Sequence, residues 1–157
     1  MTFSTLSSYL EKLEKTNSRN EITRILADLF KKAQASEIDK ICYLILGELV
    51  PAYKGIEFNL AEKMMVRILA HAYERPAHEV QALYKKKGDL GDIAADLAVS
   101  SKFKVTSSKL AVVDVYEKLM EIAKEAGRGS QERKISKMAR LLMELDSLSA
   151  KFVARIP

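Results

Sequence analysis

Apolar residues recur at helical spacing along nearly the whole chain. Leu6, Tyr9, Leu10 and Leu13 follow the i, i+3, i+4, i+7 spacing of one helix face. Ser18-x-x-Glu21 has the form of a capping box and precedes a stripe of Ile22, Ile25, Leu26, Leu29 and Phe30. A third helix is expected from Ser36 to near Gly47, and Val50-Pro51 breaks the pattern because proline restricts its predecessor. Asn59-x-x-Glu62 opens a fourth, with Met64, Met65, Ile68 and Leu69. Pro76 suits the first turn of a fifth, carrying Val80, Leu83 and Tyr84. A sixth, short one holds Ile93, Ala94 and Leu97.

Residues 100–108, Ser-Ser-Lys-Phe-Lys-Val-Thr-Ser-Ser, form the longest polar connection. Phe103 within it reads as an anchor to the core. Ser107 or Ser108 then caps a long helix with Val112, Val113, Tyr116, Leu119, Met120 and Ala123. Ile135, Met138, Ala139, Leu142 and Leu145 line the next, and Ser147 caps a last one with Leu148, Phe152 and Val153. No strand pattern competes. The expectation is an all-α, single multi-helix domain of eight to nine helices over residues 1–157. A subdivision into two packed helical halves is expected near 100–107.

At 157 residues the chain is long enough to bury a core, and 48% hydrophobic with 30% charged residues is the composition of a globular protein. No apolar run reaches the roughly 18–20 residues of a membrane span, and the first residues lack a basic, apolar leader. These features point to a cytoplasmic protein without a membrane partner. The single Cys42, in an apolar run, excludes an internal disulfide and reads as a small core residue. Charge is unevenly placed. Residues 1–100 hold 14 basic and 14 acidic side chains, whereas residues 101–157 hold 12 and 7. The whole excess of +5 therefore lies in the last third, which favours an anionic partner.

Catalytic chemistry has no address. His71 and His78 lie near no cysteine pair, the carboxylates are scattered over helix faces, and there is no Walker-type loop. The strongest candidate is Gly127-Arg128-Gly129-Ser130-Gln131-Glu132-Arg133-Lys134, between two amphipathic patterns. Two glycines end one helix, Ser130 is a suitable N-cap for the next, and Arg128, Arg133 and Lys134 surround it. A helix N-terminus offers unpaired N–H groups and the positive end of a dipole, and glycine lets a large anion approach the backbone. In Gly88-Asp89-Leu90-Gly91, Gly88 reads as a helix C-cap. Gly91, inside the next helix, requires close approach of another backbone or of a ligand. Lys102, Lys104 and Lys109 flank a hydroxyl-rich loop that includes Thr106, and ammonium and hydroxyl groups are phosphate donors.

Gly127-x-Gly129-Ser130-Gln131-x-x-Lys134, preceded by Val115-Tyr116-x-x-Leu119, resembles the N-terminal DNA-binding domain of ATP-dependent DNA ligases, above all the archaeal type. Leu13-Glu14-Lys15-Thr16, Tyr43-Leu44-Ile45-Leu46-Gly47-Glu48, Gly88-Asp89-Leu90-Gly91 and the final Ala150-Lys151-Phe152-Val153-Ala154-Arg155 agree in order, so the similarity covers nearly the whole chain. The resemblance implies an all-helical module that grips double-stranded, nicked DNA through backbone phosphates across the minor groove, without sequence preference. By position it implies Gly127, Gly129, Ser130, Gln131 and Lys134 as the principal contact, with the Gly88–Gly91 turn as a second. Arg128, Lys102, Lys104 and Thr106 are added on charge and chemistry.

The family's catalytic domain carries a Lys-x-Asp-Gly motif that this sequence lacks. The family's DNA-binding domain also continues through a further basic segment, whereas this chain stops at Pro157. It therefore reads as a truncated, non-catalytic fragment, incomplete at its C-terminus, that binds no cofactor itself. ATP and magnesium belong to the parent enzyme, and the partners are DNA and the catalytic domains of the same polypeptide. The resemblance implies roles in DNA repair, replication and recombination, in association with the nucleoid. If Pro157 is the natural end, the protein could not seal nicks alone. The alternative reading is a helical protein–protein interaction domain with a basic C-terminal third.

Overall fold

The helical periodicity is realised as nine α-helices among the residues described by the computed structural model, which are 1–102 and 104–157. The expected anchor Phe103 lies outside the described residues. In chain order the helices are α1 (Phe3–Glu14), α2 (Arg19–Lys32), α3 (Ile38–Ile45), α4 (Glu62–Ala72), α5 (Ala77–Lys87), α6 (Leu90–Ser100), α7 (Val112–Lys124), α8 (Ser130–Met143) and α9 (Ser147–Arg155). A single 3-10 turn, Ala52–Lys54, interrupts the long link from α3 to α4. The β pairing among the described residues is one isolated bridge between Thr2 and Ala111. The class is all-α, as the pattern predicts.

Side-chain caps start four helices. Thr2, Ser18, Asp89 and Asp146 each accept from an amide in the first turn that follows. Other expected starts are displaced. The third helix begins at Ile38 rather than Ser36, because Glu37 is drawn inward. Its carboxylate takes the N-terminal ammonium at 3.0 Å and the Gln34 amide at 3.0 Å. Asn59 adopts φ +52° and cannot enter a helix, so α4 starts at Glu62. The long helix begins at Val112 after Ala111, not at Ser107 or Ser108. The cap of α9 is Asp146 instead of Ser147. In each case a tertiary partner or backbone turn overrides the local polar pattern.

The apolar stripes converge on one core that includes Phe3, Leu6, Ile68, Leu69, Ile93, Leu119, Met138 and Leu142, all at 0–1% exposure. Full burial of such side chains is worth about 1.5–3 kcal/mol each, more than the 0–1 kcal/mol of an exposed ion pair, so this core decides the architecture. Helices from before residue 100 pack against helices from after it: α6 on α9, α4 on α8, and α1 on both α7 and α9. The helices on either side of the 100–107 connection therefore pack against one another. Cys42 departs from expectation and is exposed. In the short α3, Ile41 and Leu44 face the core, and Cys42 falls on the outer side between them.

The most extensive helix pairing, α6 with α9, depends on Gly91. A β-carbon there would stand 2.7 Å from the Lys151 carbonyl oxygen and 2.6 Å from Arg155 Nε. Close approach of another backbone is thus the reason for this glycine. Arg155 closes the same contact, donating to Asp89 Oδ1 at 3.2 Å, Asp89 Oδ2 at 2.6 Å and Glu14 Oε1 at 2.9 Å. At the other end of α9, Asp146 joins three segments. It accepts from the Ser4 hydroxyl of α1, from the Ser108 amide at 3.4 Å, and from the Ser149 amide at 3.0 Å.

Gly91→Ala should cost about 1–3 kcal/mol, because the new methyl meets backbone that cannot rotate away. Urea titration should show a lower midpoint with an unchanged slope. For Asp146, burial raises the carboxyl pKa, but the donors from Ser4, Ser149 and Ser108 outweigh it and hold the group below its usual 3.8. Its stabilising contribution is therefore complete above that value and disappears as pH falls through the depressed one. Asp146→Asn should flatten the stability profile below about pH 4 when unfolding is followed by circular dichroism.

Candidate functional site

The turn from α7 to α8 needs both of its glycines. Gly127 has φ +83° and Gly129 φ +75°, a region that side-chain-bearing residues rarely adopt. This conformation makes Gly129, not Ser130, the N-cap of α8, and no side chain caps the helix. The Ser130 amide turns back to the Gly127 carbonyl at 3.2 Å. The amides of Gln131 and Glu132 belong to the first turn, where no helical carbonyl can reach them. Gly127, Arg128, Gly129 and Gln131 are exposed and Ser130 is half-buried, so this edge is open to an anion.

The three cations expected around the turn have three different fates. Arg133 holds the turn itself. Its Nε donates to Glu125 at 2.8 Å, Nη1 to the Arg128 carbonyl at 2.8 Å and Nη2 to the Ala126 carbonyl at 2.9 Å. Lys137 reaches the same Glu125 at 2.6 Å, and the Lys137 ammonium with the Arg133 guanidinium holds that carboxyl at about 2. Lys134 is 6% exposed, and its ammonium donates to the Phe58 carbonyl at 2.8 Å. It thereby ties the 55–61 link to the first turn of α8. Lys134 thus lies inside the protein rather than on the exposed edge of the turn. Of these three cations, Arg128 is the one left exposed without a carboxylate partner.

The remaining candidates separate by position. Gly88 is exposed, with φ +71°, and its amide closes α5 onto the Tyr84 carbonyl at 2.7 Å. Gly91 is buried against α9. The N-terminus of α6 already carries a carboxylate, since Asp89 accepts the Gly91 amide at 2.7 Å and is itself paired with Arg155. Lys102, Lys104 and Thr106 are exposed. The Ser108 amide that follows them meets Asp146, just past the C-terminal end of α8 and about 20 Å along that helix from the glycine turn at 1.5 Å per residue.

Tertiary structure adds residues that sequence reasoning missed. Arg67 of α4 donates to Glu132 at 2.9 Å, which places a further cation beside the first turn of α8. Its partner is 65 positions away, and no local pattern announces it. The Glu125–Arg133 pair was more accessible, as an acid closing one helix and a base opening the next. Both histidines are exposed. Among the described residues no group of three or more His, Cys, Asp or Glu side chains could hold a metal ion, and no helix is long and apolar enough to cross a membrane.

Residues 2–157 match the family model described as DNA ligase N terminus. A "Probable DNA ligase" of Dictyoglomus turgidum is 40% identical over 157 residues, which cover 99% of this chain and 26% of that protein. A "Probable DNA ligase" of Aquifex aeolicus is 39% identical over 155 residues, again 99% of this chain and 26% of the relative. A "DNA ligase" of Pyrobaculum calidifontis is 37% identical over 160 residues, covering 99% and 27%. The chain spans about a quarter of the length of these relatives.

Arg133→Ala should release the glycine turn without unfolding the protein. Amide exchange at residues 127–130 should accelerate while the melting temperature changes little. In the same variant the Glu125 carboxyl, followed by NMR titration, should rise from about 2 and stop short of the ordinary 4.5, because Lys137 remains.

Proposed function

Since the chain belongs to the DNA ligase N-terminus family, we propose that it is a non-catalytic module that grips double-stranded DNA through backbone phosphates across the minor groove, without sequence preference. In this reading it positions nicked DNA for ligation by catalytic domains carried elsewhere on the same polypeptide. The carrying observation is the exposed turn at 127–131, in which two left-handed glycines set an uncapped helix N-terminus beside an unpaired arginine. Backbone amides at a helix start and a nearby guanidinium are donors that suit a phosphate oxygen. None of them reads a base edge, which agrees with a module that fixes register rather than sequence.

Gly127, Arg128, Gly129, Ser130 and Gln131 form the principal contact. Lys134 acts beneath it by holding the first turn of α8 to the 55–61 link. Lys102, Lys104 and Thr106, exposed in the connection that leads to Ser108, supply a second contact to phosphates of the same DNA. Gly88 and Gly91 are left out of the contact set, because the Asp89 carboxylate already caps the α6 N-terminus beside Gly88 and Gly91 is packed against α9. The parent enzyme would use ATP and magnesium to join a 3′-hydroxyl to a 5′-phosphate in DNA repair, replication and recombination, in the cytoplasm beside the nucleoid. The contribution of this module is orientation of the strand ends, which lowers the entropic part of the barrier.

Binding of the chain to a nicked duplex and to its intact counterpart, each across a salt series, tests the reading. With roughly four phosphates neutralised, log affinity against log salt should fall with a slope of about −3.6 for both duplexes, with little preference for the nick. Arg128→Ala should weaken binding and reduce the slope by about 0.9. A flat salt response, or no binding at low salt, would sink the proposal and favour a helical domain that meets a protein partner.

A further inference from the structure

The ion pair between Arg67 and Glu132 carries a consequence for the same surface. Glu132 sits two residues after Ser130, in the first turn of α8, and Arg67 reaches it from α4 at 2.9 Å. Both side chains are largely in solvent, at 52% and 69% exposure. An exposed pair of this kind is worth about 0–1 kcal/mol, so a competing anion displaces one partner readily. The backbones beneath the pair are fixed, because α4 and α8 pack along buried faces that include Met65, Ile68, Met138 and Leu142. The other charge pairs around the turn differ. Arg133 has two backbone carbonyls to hold as well as Glu125, and Lys137 has two carboxylates. Arg67 has Glu132 as its one partner among the described residues.

We propose that Arg67 is a further phosphate-contacting residue of the module, and that Glu132 holds it off the nucleic acid until a DNA phosphate takes its place. The inference rests on the reading of residues 127–131 as a phosphate contact. Arg67 supplies the cation that Arg133 and Lys134, engaged within the protein, do not offer. Glu132 is a negative charge in the first turn of the helix whose N-terminus faces the phosphate. It therefore lowers affinity for loosely placed anions. A phosphate seated on the Gln131 and Glu132 amides recruits Arg67 as the carboxylate side chain swings out. The pair thus makes tight binding depend on a phosphate at that position rather than on overall charge.

The test uses the 157-residue chain, a nicked duplex of random sequence and a salt series, with Arg67→Ala, Glu132→Gln and the double variant. Arg67→Ala should reduce the magnitude of the salt slope by about 0.9, while Arg67→Lys keeps it, since either cation releases a counterion. Glu132→Gln should raise affinity about two- to fivefold by freeing Arg67, and this gain should shrink in the Arg67→Ala background. Melting temperatures should stay close to that of the parent, because both side chains are exposed. A normal slope in Arg67→Ala, or an equal gain from Glu132→Gln in both backgrounds, overturns the inference while leaving the 127–131 contact intact if Arg128→Ala still weakens binding. Absence of salt-dependent binding by the parent chain overturns both.

Discussion

Everything proposed for this molecule depends on how α8 is held. Its inner face, with Ile135, Met138, Ala139, Leu141 and Leu142 all buried, packs on α4, α7 and α9, so the helix axis cannot shift without opening the core. The first turn is fixed twice more, by Lys134 on the Phe58 carbonyl and by Arg133 on the preceding turn. Backbone amides contribute to binding only when they are aimed before the ligand arrives, because ordering a loop costs about 1–2 kcal/mol per residue. Here that ordering is done in folding.

The cations of the last third divide accordingly. A basic side chain near a glycine turn can touch a ligand, brace the loop or bury itself, and these roles exclude one another. Arg133 satisfies its donors on the protein, and Lys134 is withdrawn into the interior. Arg128 remains outside. Net charge sums every basic and acidic side chain and so describes the attraction of the domain for an anion without saying which group meets it.

The α6–α9 contact shows the same division for glycine. Gly88 and Gly91 look alike in a sequence, yet one closes a helix at φ +71° and the other admits a second backbone. Asp89 then caps α6 and pairs with Arg155, so a turn resembling an anion site is already filled by a carboxylate of the protein.

Helical class, helix number and the glycine turn between α7 and α8 were legible in the chain alone. Apolar spacing and glycine placement are local properties, and two glycines around Arg128 demand an unusual backbone wherever the segment lies. Several helix starts, the outward face of Cys42 and the interior place of Lys134 were not legible. Each is set by a partner distant in sequence: the N-terminal ammonium for Glu37, the core side of α3 for Cys42, the Phe58 carbonyl for Lys134. Arg67 belongs beside the α8 turn for the same reason, since packing of α4 on α8 brings together groups 65 residues apart. Local periodicity determines which faces must be buried. Only the packed core decides which surface residues then become neighbours, because that depends on how buried faces fit against one another.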